Sequence, residues 1–161
     1  MDANNKKRQM LRHCLATLAY RGAKVLREAP EGFAEFRASA KSRNPGEILA
    51  HLGDLLDWAW CLANGKQGGK NTEPLDWENG VERFFALLRR LDDYLASGQP
   101  LGSPEEQLFQ GPVADSLTHV GQLAMLRGMA GAPVRGENYF KADIVVGCVS
   151  AEQSAPRAEF D

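Results

Sequence analysis

Four stretches of this chain repeat apolar residues at intervals of three and four, and a helix sets residues so spaced on one side. In the first stretch Leu11, Cys14, Leu15, Leu18, Val25 and Leu26 predict a helix over about 4–27, which Ala29-Pro30-Glu31-Gly32 ends. The second opens on Asn44 as N-cap, with Pro45 at the first helical position and Glu47 where a capping box requires it. It runs to about Ala63, before Asn64-Gly65. The third is predicted to start near Thr72 to Pro74. Its stripe is Trp77, Val81, Phe84, Leu88, Leu91 and Leu95, and Ser97-Gly98-Gln99-Pro100 closes it. A short capped segment follows from Ser103 to about Gln110, Gly111-Pro112 interrupts, and a last long helix is expected from Pro112 to about Ala130. Short and moderate links between long helices predict an all-α four-helix bundle in a single domain over 1–161. The bundle fills about 4–130, and 131–161 is a C-terminal extension.

Composition narrows the partners. The 161 residues are 43% hydrophobic and 25% charged, enough for a core that needs no staples. A net charge of −2 gives no pull toward nucleic acid or anionic lipid. Lys6-Lys7-Arg8 and Arg89-Arg90 read as solvated helix surface, because no aromatic residues are interleaved with them. No apolar run approaches the ~20 residues that cross a bilayer. Met1 to Gln9 is polar with no apolar core behind it, so no secretory signal is expected. Cys14, Cys61 and Cys148 are odd in number and far apart, which fits a reducing cytoplasm better than a disulfide framework or a zinc knuckle. The loop Gly65 to Lys70 lacks the strand and spacing of a phosphate-binding loop.

The informative residues are polar ones on apolar faces. On the second helix Ile48, Leu49, Leu52, Leu55, Leu56, Ala59, Leu62 and Ala63 form one arc. His51 falls inside that arc, whereas Asp54, Asp57 and Cys61 are expected on the wet side. On the last helix only Asp115 and Arg127 are charged. Val113, Leu117, Val120 and Ala124 line one side of it. Asp115, His119 and Gln122 line the other, and that stripe continues into Leu126 and Met129, so it is expected to face inward as well. Burying a carboxylate and an imidazole unpaired is costly, and a divalent cation removes the cost. Asp115 and His119, four apart, can reach one atom, and His51 supplies a third corner. Such ligands suit zinc, nickel or iron(II), and three of them leave positions open for water or substrate. An Asp115–His51 ion pair beside a helix N-terminus would satisfy the same groups without a metal, and both readings stand. Gln122 is placed either to hold a ligand histidine or to make an ordinary helix contact. A last helix so poor in charge predicts a homodimer through it and a neighbour.

The segment Leu117-Thr118-His119-Val120-Gly121-Gln122-Leu123, with Leu126-Arg127 and Gly131 behind it, resembles the H-x-G-Q-[LI] signature of DinB-like (damage-inducible) four-helix bundles. Pro45-Gly46-Glu47-Ile48-Leu49-Ala50-His51-Leu52, followed by Asp54 and Trp58, resembles that family's first metal-histidine helix. The resemblance covers about 4–130. It implies an up-down-down-up bundle, commonly dimeric, with three metal-binding histidines, one on the second helix and two, four apart, on the last. The matching positions are His51, Asp115 and His119, so this chain departs from the pattern at Asp115. A site of two histidines and one aspartate puts an extra negative charge on the metal and acidifies bound water or thiol less. The resemblance further implies a divalent metal, zinc or nickel ahead of iron or manganese. It also implies a transferase, or a related hydrolase or isomerase, joining a low-molecular-weight thiol to a small electrophile. The alternative is a non-catalytic bundle for dimerisation or metal binding. Beyond the bundle, Gly136 to Ala142 carries Glu137 and Tyr139 and reads as a lid or pocket wall, with Trp58 also near the pocket, or as a packed extension.

Overall fold

The computed structural model describes residues 3–161. Four long helices make up the bundle: α1 (Ala3–Leu26), α2 (Pro45–Ala63), α3 (Trp77–Ala96) and α5 (Ala114–Met129). A single turn, α4 (Glu105–Leu108), precedes the last of them, and a 3-10 turn (Phe33–Glu35) sits between α1 and α2. The only sheet among the described residues is a two-residue antiparallel pair, β1 (Gly136–Glu137) with β2 (Glu159–Phe160).

Cross-helix contacts give the helix directions. Arg12 grips both oxygens of Asp92 at 2.8 Å, and near the other end of α1 the Trp77 indole N–H donates to the Leu26 carbonyl at 3.3 Å, so α1 and α3 are antiparallel. Arg83 reaches Asp54 at 2.7 Å and Arg90 reaches Asp57 at 3.2 Å; both numbers rise together, so α2 and α3 are parallel. On α5, Leu126 shares a cleft with Ile48 while Asp115 faces His51, which makes α5 antiparallel to α2. The order is up-down-down-up. Leu15, Leu52, Leu56, Phe84, Leu88 and Leu123 fill the centre.

Parallel neighbours require a return link as long as a helix. The 19 residues of α2 rise about 28 Å, and the segment 64–76 can span that length when extended. It runs back down α2. Gly68 lies against Cys61 so closely that a Cβ would sit 2.6 Å from the sulfur. Further along, Lys70 pairs with Asp57 at 3.3 Å, and Thr72 binds Asp54 through its N–H (2.8 Å) and its hydroxyl (2.6 Å). Asp54 and Asp57 are therefore buried, not on a wet side as the helical periodicity predicts. Their partners come from α3 and the link, which a single-helix projection does not contain. Burial alone would raise the Asp54 carboxyl, but Thr72 and Arg83 outweigh it and hold the group below its ordinary range. With Thr72 committed to Asp54, α3 starts later than expected. It starts at Trp77, where Asp76 accepts the Asn79 N–H at 3.0 Å as N-cap.

The last helix also departs from expectation. Gly111-Pro112 interrupts the helical path as expected, but α5 begins at Ala114, two residues later than Pro112. The join (Phe109–Val113) is a kink at Gly111, whose φ −88° and ψ −105° lie outside the helical range, between α4 and α5. The stripe expected to lie inside is divided: His119 and Leu126 are buried, whereas Asp115, Gln122 and Met129 face outward. The reason is packing. α5 rests on α1 and α2 and leaves its remaining flank to solvent. Near its end the buried Arg127 donates to the carbonyls of Val25 (3.0 Å) and Arg27 (2.9 Å), closing the C-terminus of α1.

Candidate metal centre

His51 owes its position to a firmly started helix. Asn44 Oδ1 accepts the Glu47 N–H at 2.8 Å, and Glu47 returns the bond to the Asn44 N–H at 2.8 Å, with Pro45 at the first position. Buried Ile48 and Leu52 then fix the rotation of α2, which leaves His51 half-buried on the flank facing α5. His119 reaches it from α5 with its ring at 4.8 Å and nearly perpendicular. Asp115, one turn earlier and exposed, completes the group.

The structure thus brings together the three residues singled out in the sequence. One donor atom from each lies within 4.8 Å of the others. Asp115 Oδ1 is 3.5 Å from His119 Nε2, and Oδ2 is 3.8 Å from His51 Nε2. Neither distance is a charge-assisted hydrogen bond, which closes to about 2.7–2.9 Å. Gln122 sharpens the point. Its amide oxygen lies 2.7 Å from His119 Nδ1 and accepts from it in the tautomer that carries the proton on Nδ1. In that tautomer Nε2 faces the oxygens of Asp115, and a cation or a proton between them relieves the contact. Ligands about 2.0–2.1 Å from a tetrahedral ion stand about 3.3 Å apart, close to the Asp115–histidine separations. The donor set could hold a divalent cation on chemistry, with its widest pair, within 4.8 Å, drawing closer to share one ion.

Burial, the nearby His119 and then Arg43 push the His51 ring below its ordinary pKa of 6.5. At neutral pH it is uncharged, the form that ligates. Arg43 was not evident from the sequence; its one signal is its place directly before the N-cap of the histidine helix. Together with Ser42, Ile48, Met125 and Leu126 it lines a cleft of about 290 Å³ that reaches His119 and Gln122. A larger cavity, about 860 Å³ between the end of α1, α3 and residues 150–152, contains none of the three donors.

The other residues expected near the pocket lie elsewhere. Trp58 stands two turns along α2 from His51, at the surface. Glu137 and Tyr139 pack on α1. The buried Glu137 carboxylate accepts from the Tyr20 hydroxyl at 2.6 Å and from Lys24 at 2.7 Å. The Tyr139 ring lies 4.0 Å from the Arg21 guanidinium and edge-on to Tyr20. Burial first, and Glu137 second, push the Tyr20 hydroxyl well above its ordinary pKa. The extension in this structure is a clamp on α1 and does not cover the histidines.

Cys14, Cys61 and Cys148 are all free thiols. Among the described residues no helix is long and apolar enough to cross a membrane. Compared with protein-family models, curated proteins and solved structures, the chain matches none.

Proposed function

We propose that this chain is a DinB-like metalloprotein in which His51, Asp115 and His119 hold one divalent ion. The observation that carries this reading is the geometry around Asp115. Its carboxylate faces two imidazole nitrogens across 3.5 and 3.8 Å, too far to hydrogen-bond and right for sharing a cation. The helix order, and the placing of the two histidines on α2 and α5, agree with what the resemblance implies. Two imidazoles and a carboxylate suit zinc or nickel first, then iron or manganese.

An ion held there would supply Lewis acidity for a bound water or thiolate that attacks a small electrophile. The chain's own residues set the rest. Gln122 holds the His119 ring through Nδ1, and Asp115 lowers the net charge at the centre. The exposed side of Asp115 leaves an approach from solvent. This is the layout of a transferase, or of a related hydrolase or isomerase, working with a low-molecular-weight thiol in a cytoplasm that keeps three cysteines reduced. A second reading, a dimerisation or metal-binding module without catalysis, has one observation in its favour. Met125 and Met129 stand exposed on the outward face of α5.

Elemental analysis of protein purified without a metal-affinity tag tests the centre. The unaltered chain should carry stoichiometric metal, and His51→Ala should carry almost none while its circular dichroism stays helical. Equal metal content in the two would remove His51 from the site.

A further inference from the structure

The cleft beside His119 has an unusual lining for its size. Ile48, Met125 and Leu126 make its walls apolar. Arg43 is the only charged residue lining it, and no carboxylate does. The Arg43 guanidinium makes no hydrogen bond or ion pair among the described residues. The nearest obvious acid, Glu47, is already bound by Arg37 at 2.8 Å and by the Asn44 N–H at 2.8 Å. Arg43 is exposed, and its backbone directly precedes the capping residue that starts α2. The cleft is thus an apolar slot with a free cation at its rim and a proposed metal ligand, His119, on its wall.

We infer that the molecule acted on at this centre is a small anion: a short apolar body, one end directed to the metal, with a carboxylate-like group paired to Arg43. This rests on the metal reading above and deepens it. A volume of about 290 Å³ is at the small end of ligand sites and admits only a short body. An apolar wall cannot select one small molecule from another strongly. A lone guanidinium can, because it offers a planar, two-pronged donor that a carboxylate matches and a neutral amide does not. Arg43 is therefore a specificity-determining residue and takes no part in the bond changes at the metal.

Cobalt(II)-loaded protein and a set of hydroxamates test this. Each hydroxamate binds the metal through the same head, and its binding is read from the cobalt visible bands. Succinic, glutaric and adipic monohydroxamates carry a terminal carboxylate; the straight-chain hydroxamates of equal length do not. The carboxylate form should bind about tenfold more tightly at one or more chain lengths, a gap that narrows as salt is added. In Arg43→Gln the gap should fall to about twofold or less with cobalt loading unchanged, and Arg43→Lys should restore part of it. Cobalt bands with no carboxylate preference at any length would overturn the inference and leave the metal reading standing. A preference that survives in Arg43→Gln would overturn the role of Arg43. Absence of cobalt bands in the unaltered protein would overturn the metal reading and this inference with it.

Discussion

Asp115 decides what the centre is. As a ligand it is an anion replacing a neutral imidazole at the position the family resemblance assigns to histidine. Asp115→Asn should then lower metal affinity by about tenfold or more, a neutral amide being a poor hard ligand. Asp115→His should recover occupancy and let bound water ionise at lower pH. If Asp115 only complements the start of α5, the asparagine form would lose about a kcal/mol of stability or less and keep its metal. Isothermal titration with zinc, beside thermal melts of both variants, separates the outcomes; undiminished affinity in Asp115→Asn would take Asp115 out of the site. At this scale the sequence was partly legible. His51 stood out inside an apolar arc and His119 on a polar stripe with Asp115 that runs on into Leu126 and Met129, and the four-residue spacing of Asp115 and His119 sufficed to group them. Asp54, Asp57 and Arg43 did not show themselves, because each takes its meaning from a neighbour on another element. A helical projection carries no record of Arg83 and Arg90 reaching across from α3.

At the scale of elements, the join between α4 and α5 carries the most information. One residue, Gly111, lies outside the helical range and kinks the path, so α4 and α5 can each bury a face of their own. Upstream, Leu108 is sealed in the core; downstream, Ser116, His119, Val120 and Leu123 point inward. Ser116 donates its hydroxyl to the Pro112 carbonyl at 2.7 Å, occupying an acceptor within the distorted turn. Deleting Gly111 should remove the one non-helical residue of the kink while Pro112 still bars a plain α-helix, so α4 should lose its present seat relative to α5. Leu108 would leave the core, at a cost of about 2–5 kcal/mol by comparison with buried leucine truncations. The histidines and Asp115, all anchored elsewhere, should keep their metal. A urea midpoint that does not move would show that Gly111 has no structural role. The sequence announced a disturbance here through Gly111-Pro112. It could not say that the chain would bend and continue, because that outcome depends on whether Leu108 finds a place in the core.

At the scale of the whole molecule, the outward flank of α5 is the open question of assembly. Met125 and Met129 are 62% and 53% exposed, and the same flank carries Gly121 and Gly128 with open space where a Cβ would go. No charge interrupts it between Asp115 and Arg127, and Arg127 points inward. A second copy of this chain is the expected partner, brought close by the glycines and sealed by the methionines. Sedimentation at about tens of micromolar should show a dimer, and Met125→Glu with Met129→Glu should give a folded monomer. A wild-type monomer under those conditions would end the proposal. The clamp on α1 has a different consequence, one of timing. Lys24 bonds Glu137 and Glu159, which lie 113 and 135 residues further along the chain. During synthesis the ammonium and the Tyr20 hydroxyl are laid down early, on a face whose partners have not yet been made. α1 can settle against α3 and α5 as those helices emerge, yet that face has no partner until the segment carrying Glu137 and Glu159 is free to reach it. The contacts that finish the surface of α1 thus come from residues made long after it.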